Sequence, residues 1–218
     1  MDSLASCRLY AILDLGYIAP EDAEKAAAQL ILGGADLIQL RGKRRAVAEL
    51  TRLAERLHRL TNQAGVPLII NDHAEIARDV AAEGLHLGQE DGSVALAREV
   101  IGRDCWIGRS THSVSQALTA AAEGADYIGF GPLFATPTKP GYRPIGMGEI
   151  ARVHRQVRIP IFCIGGIKLS NLPDVVVAGA KRVVIVSGLL QSADIAASAR
   201  KAKQLLAQDQ KSEIRNPK

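Results

Sequence analysis

Apolar residues recur along this chain in two rhythms that alternate from one end to the other. Short apolar runs rich in Val, Ile and Leu read as buried strands at residues 8–14, 37–41, 67–71, 84–87, 105–108, 127–131, 160–164 and 182–187. Between them lie Ala- and Leu-rich segments whose apolar positions keep helical spacing. Residues 20–32 form one, with Pro20 suited to a first helical turn. Residues 46–63 form another, with leucines at 50, 53, 57 and 60 in one stripe. The phrases GADLI, GADYI and GAKRV put Gly34, Gly124 and Gly179 between a helix and the next strand, where a left-handed helix end is expected.

Eight such units in 218 residues favour an α/β fold of the closed (β/α)₈ TIM-barrel type, a single catalytic domain over residues 1–207. A doubly wound open sheet shares the same pattern, because periodicity does not report closure. Residues 208–218 are polar without apolar periodicity and read as a frayed C-terminal tail.

Composition narrows the class further. Aromatics make up 4% of the chain and apolar residues 47%, so the core is expected to be Ala, Val, Ile and Leu. The net charge of +4 is spread along the chain apart from residues 41–45 and the tail, and few aromatics are available to stack on bases. Both facts argue against a nucleic-acid groove and for small anions. The three cysteines are odd in number and form no CxxC pair, as expected of reduced thiols in the cytoplasm. Neither a leader pattern nor an apolar run of membrane-spanning length is visible, so no membrane association is expected. Composition is compatible with a homo-oligomer as well as with a monomer.

In a barrel, reacting groups stand at the C-terminal strand ends. Read there, the chain offers Gln39, Arg41 and Lys43; Asn71 and Asp72; Gln89 and Asp91; Ser110 and His112; Thr136, Thr138 and Lys139; Gly165 and Gly166; Ser187 and Gly188. Asp72 and Asp91 fall on neighbouring strands, about 5 Å apart, and could share a cation. Mg²⁺ suits two carboxylates with water and phosphate oxygens better than Ca²⁺ or Zn²⁺, which ask for more protein ligands. The competing reading makes Asp72 and Asp91 caps of the helices that follow them.

Arg41, Lys43 and Lys139 could converge on a diphosphate across the mouth, whereas Arg44 and Arg45 read as a solvated helix face. IGGI (164–167) and VSGL (186–189) follow the last two strands, where backbone N–H groups commonly surround a phosphate. The loop 132–148 is long enough to close over a ligand. His86, inside a strand, reads as a hydrogen-bonded core residue, and His73 and His112 stay unassigned. No Walker A loop occurs, and Gly129-Phe130-Gly131 lacks the third glycine of a dinucleotide fingerprint, so ATP and NAD have little support.

Seven phrases then occur in order: QLRGK (39–43), IINDH (69–73), GLHLGQED (84–91), GRSTHS (108–113), DYIGFGPLFATPTK (126–139), IPIFCIGGI (159–167) and VVIVSGL (183–189). Together they resemble the thiamine phosphate synthase family over nearly the whole chain. The resemblance implies an alkyl-transferring enzyme with small-molecule substrates. A hydroxymethylpyrimidine diphosphate loses pyrophosphate to Mg²⁺-assisted departure, and a thiazole phosphate captures its methylene carbon to give thiamine phosphate.

By the same likeness Gln39, Leu40, Arg41, Gly42, Lys43, Asn71, Ser110 and Lys139 hold the pyrimidine diphosphate, with Arg41, Lys43, Ser110 and Lys139 acting in catalysis. Asp72 and Asp91 hold Mg²⁺, while Thr136, Pro137, Thr138, Gly166, Val186 and Ser187 hold the thiazole phosphate. Gly42 departs from the bulkier, often acidic residue expected between Arg41 and Lys43. The nearest rival, a thiazole tautomerase-like relative, lacks the carboxylate at Asp91 and carries a histidine in the sixth loop. A second rival is a non-catalytic, phosphate-binding regulatory barrel.

Overall fold

The computed structural model describes residues 4–136, 141 and 143–215, with side-chain surroundings up to residue 207. Among these residues the strands are β1 (Leu9–Asp14), β2 (Leu37–Arg41), β3 (Leu68–Asn71), β4 (Gly84–Leu87), β5 (Trp106–Thr111), β6 (Tyr127–Phe130), β7 (Ile161–Cys163) and β8 (Val183–Ile185). All pair in parallel in chain order, and β1 closes on β8, which decides for the barrel over the open sheet. The helices are α1 (Ala23–Leu32), after a 3₁₀ turn at Pro20–Asp22, then α2 (Val47–Gln63), α3 (Ala74–Asp79), α4 (Val94–Ile101), α5 (Val114–Ala122), α6 (Ile150–Gln156), α7 (Leu172–Val177), α8 (Ser187–Leu190) and α9 (Ile195–Arg215). Gly34, Gly124 and Gly179 take φ of 86°, 89° and 102° after α1, α5 and α7.

Several strand ends differ from the sequence expectation by a residue or two, and three differences matter for the site or the tail. β5 runs on to Thr111, so Ser110 belongs to the strand itself. Ser187 opens α8 and does not end β8. Helix α9 continues through the polar stretch to Arg215, because Gln, Lys, Glu and Arg sustain a helix well without an apolar stripe.

Strand alternation divides the apolar residues into two cores. Leu9, Ala11 and Leu13 of β1, Ile38 and Leu40 of β2, and Leu68 and Ile70 of β3 pack outward against the helices. Tyr10, Ile12, Leu37, Ile69, Tyr127, Phe162 and Val184 fill the barrel. That inner core corrects the expectation of a purely aliphatic one. The rings of Tyr10, Tyr127 and Phe162 meet edge to face, with centroids 5.4–6.0 Å apart. Three large rings plug a barrel whose neighbouring inward positions include glycines.

The N-terminal strand ends share one device. Asp36, just before β2, accepts the backbone N–H groups of Arg8 and Leu9 at 2.8 Å and pairs with Lys203 at 2.6 Å. Glu83, just before β4, accepts Leu68 N–H at 2.7 Å and meets the His58 ring at 3.1 Å. Asp126, just before β6, accepts Ile107 N–H at 2.7 Å and pairs with Arg98 at 2.6 Å. Each carboxylate thus satisfies a donor within the first two residues of the preceding strand, while a neighbouring cation or imidazole balances it.

Candidate active site

At the other end the strands open into a cleft of about 970 Å³ counted together with its open mouth. Its walls contain Gln39, Arg41, Lys43, Asn71, Asp72, Asp91, Ser110, Thr136, Gly166, Val186 and Ser187. Two residues expected there are absent from the walls. Leu40 has the opposite strand parity to Gln39 and Arg41, so its side chain lies in the sheet–helix core. Gly42 packs instead against Leu50 and Leu15, and a β-carbon there would come within 2.6 Å of Leu50. Pro137, Thr138 and Lys139 lie outside the described residues, as does the middle of the loop that carries them.

Neither metal candidate caps a helix. The residue before α3 is His73, whose side chain makes no cap bond, and α4 is capped by Ser93, which accepts from Leu96 N–H. Asp72 instead takes a left-handed backbone, φ 66°, while its N–H donates to His86 O at 2.9 Å. That conformation costs of order 1 kcal/mol for a non-glycine residue, although aspartate tolerates it better than most. The resulting turn at the end of β3 brings the Asp72 carboxyl within hydrogen-bonding reach of Asp91. Burial, and then Asp91, push its pKa upward, against a smaller opposing pull from Lys43. The Lys43 ammonium stands 3.4 Å from Asp72. Asp91 accepts Gly88 N–H at 2.7 Å, which closes the β4–α4 loop on itself.

Beneath this pair a buried polar chain crosses the barrel. Gln39 Nε2 donates to the Tyr10 hydroxyl at 2.5 Å, the Tyr10 and Tyr127 hydroxyls are 3.1 Å apart, and Tyr127 meets His86 Nδ1 at 3.2 Å. His86 Nε2 completes it 3.0 Å from Ser110 Oγ. His86 is therefore the hydrogen-bonded residue the sequence suggested, and its partner Ser110 lines the cleft. Burial raises both tyrosine pKa values, so both hydroxyls stay neutral. Arg41 is held at 2.5 Å by Asp14, itself buried at the end of β1.

Tyr10, Tyr127 and Asp14 were missed in the sequence because a tyrosine within an apolar strand looks like packing. Inward parity, shared with Gln39 and His86, was the available signal. His112 also lines the cleft. Its Nδ1 lies 2.5 Å from Gly131 O, and because a carbonyl only accepts, that nitrogen carries the proton.

The far wall is backbone. Gly165 and Gly166 take φ of 100° and 67°, and a β-carbon at Gly166 would strike Phe134 and Ala135. Leu133 and Phe134 N–H groups donate to Ile164 and Gly165 carbonyls at 2.9 and 3.0 Å, anchoring the root of the β6–α6 loop. Helix α8 begins at Ser187 with no side-chain cap on its first turn. This wall therefore offers main-chain donors and little side-chain bulk.

The family model described as thiamine monophosphate synthase matches residues 9–189. A thiamine-phosphate synthase of Chloroflexus aurantiacus is 42% identical over 200 residues, covering 91% of this chain and 92% of its own. Another, from Methanospirillum hungatei, is 42% identical over 202 residues, covering 92% and 98%. Among solved structures, a thiamine phosphate pyrophosphorylase from Pyrococcus furiosus superposes with a TM-score of 0.84 at 28% identity, covering 93% of this chain and 96% of its own. A 3-hexulose-6-phosphate synthase superposes at 0.69 with 19% identity, a likeness of fold alone.

Proposed function

The chain belongs to the thiamine monophosphate synthase family, transferases of thiamine biosynthesis, and from that premise we propose that it condenses a hydroxymethylpyrimidine diphosphate with a thiazole phosphate, with Mg²⁺ bound by Asp72 and Asp91. The observation that carries the metal assignment is the facing carboxylate pair at the strand ends. A dication held by this pair would offset the Asp91 repulsion that, after burial, raises the Asp72 pKa. Mg²⁺ commonly takes one or two carboxylates and completes its shell with water and phosphate oxygens. Among the described residues no third His, Cys, Asp or Glu joins them, which suits that ion. When bound, it supplies charge neutralisation to the departing pyrophosphate.

The reaction breaks the C–O bond of the pyrimidine methylene, and the electron pair leaves with pyrophosphate. The lone pair of the thiazole nitrogen forms the new C–N bond. That nitrogen becomes quaternary, so no proton has to move. The protein's part is positioning and preorganised charge. Arg41, fixed by Asp14, and Lys43 hold the diphosphate together with Lys139. Ser110, supported by His86, donates to the same group. Gln39 and Asn71 orient the pyrimidine, and the neutral tyrosine floor lies under a carbon that gains positive character. Thr136, Pro137, Thr138, Gly166, Val186 and Ser187 surround the thiazole phosphate, with α8 presenting its first N–H groups.

The intact Asp91 and the Gly131-Pro132-Leu133-Phe134 loop favour the synthase over the tautomerase-like relative. We place the enzyme in the reducing cytoplasm, in keeping with the free thiols of Cys105 and Cys163. Among the described residues no helix is long and apolar enough to cross a membrane.

The test mixes purified protein with both substrates and Mg²⁺, following thiamine phosphate by chromatography and pyrophosphate by phosphorus NMR. Equal amounts of both products, formed only when both substrates are present, are expected. Absence of thiamine phosphate would sink the reading.

A further inference from the structure

Arg109 is 9% exposed and sits on β5 next to Ser110, which lines the cleft. Strand parity turns its side chain the other way, as for Ile107 in the sheet–helix core. A buried guanidinium is costly to desolvate and needs partners. Here Nη1 donates to Gly92 O at 2.5 Å and Nη2 to Gln89 O at 3.1 Å. Those carbonyls flank Glu90 and Asp91 in the β4–α4 loop. The same strand takes a third hold on the loop, because Gln89 Nε2 donates to Ser110 O at 2.5 Å. The loop reverses at Gly92, φ 89°, and Asp91 turns back onto Gly88 N–H.

We infer that Arg109 is a positioning residue for the cation site: its fork clamps the main chain on both sides of Asp91 and so holds that carboxylate against Asp72 before a metal ion arrives. The clamp acts from behind the strand, without touching substrate or metal, and rests on the Mg²⁺ reading above. Residues that orient a ligating carboxylate commonly change metal affinity by about 10- to 100-fold when removed. A lysine retains the charge but not the planar fork that spans two carbonyls.

The experiment titrates Mn²⁺ into full-length protein with inorganic pyrophosphate present and reads free Mn²⁺ by electron paramagnetic resonance. Wild type is expected to bind one ion, Asp91→Asn to lose it, Arg109→Met to raise Kd by about 10-fold or more, and Arg109→Lys to raise it several-fold. In turnover, Arg109→Met should need correspondingly more Mg²⁺ yet regain kcat at saturation, with KM for the thiazole phosphate unchanged. Failure of wild type to bind Mn²⁺, or equal binding by Asp91→Asn, overturns the metal reading itself. A wild-type Kd in Arg109→Met overturns the clamp alone. Should that variant not fold, a wild-type Kd in Arg109→Lys does the same.

Discussion

The two ends of this barrel use the same residue types in opposite ways. At the N-terminal end Asp36, Glu83 and Asp126 each have their oxygens occupied by a backbone N–H and a neighbouring basic side chain. At the C-terminal end Asp72 and Asp91 face one another, with Lys43 at 3.4 Å and a left-handed residue in the turn. The satisfied carboxylates hold the strands in register. The opposed pair keeps electrostatic strain that a bound cation would relieve. The difference teaches that a carboxylate's role follows from what its remaining lone pairs meet.

The strongest way to break this comparison is to neutralise one member of the upper pair. Asp91→Asn is expected to lower turnover by about two orders of magnitude or more, while Tm stays level or rises as like-charge repulsion disappears. A large fall in Tm with turnover preserved would exchange the roles of the two ends. The mirror experiment is Glu83→Ala at the lower end, where Leu68 N–H and His58 lose their partner. Calorimetry should record a loss of about 2–3 kcal/mol, or roughly 5–10 °C, with kcat unchanged.

An exception at the lower end sharpens the contrast. In the third repeat of the helix–strand phrase, Gly179-Ala180-Lys181, a lysine stands where Asp36 and Asp126 stand. Beside it, burial and then Lys181 and Arg182 press the His154 pKa down from 6.5 to about 4. The folded state therefore favours the neutral ring. Its contribution is complete above pH 6.5 and is lost as pH falls from 6.5 toward 4. The loss reaches about 2 kcal/mol after allowance for partial exposure. His154→Gln should flatten the pH dependence of unfolding in that window, and an unchanged slope would remove the assignment.

The smallest effect is expected from the surface pair Arg56–Glu24, 2.6 Å apart but with side chains 40% and 48% exposed. Arg56→Ala should change stability by less than about 0.5 kcal/mol in urea unfolding. A larger change would mean that ion pairs matter here wherever they occur, and not chiefly at strand ends.

Much of the frame was legible in the chain. Strand positions followed from apolar runs, and the polar strand ends from the barrel rule, because local pattern and burial agree there. Closure was not legible, since it is a property of β1 meeting β8. The core position of the Leu40 side chain, apart from Gln39 and Arg41, follows from strand alternation alone. The left-handed Asp72 and the buried fork of Arg109 depend on tertiary neighbours, β4 and its loop, that no local signal names. The aromatic plug was hidden because Tyr10, Tyr127 and Phe162 are far apart in sequence and meet only inside the barrel.

The central claim is that the opposed carboxylates form a cation site on which synthesis depends. Metal-depleted enzyme given both substrates and titrated with Mg²⁺ tests it most directly. Thiamine phosphate formation should be negligible in chelator and rise saturably with Mg²⁺, and Asp91→Asn should not show that rise. An equal rate in chelator and in Mg²⁺ would contradict it.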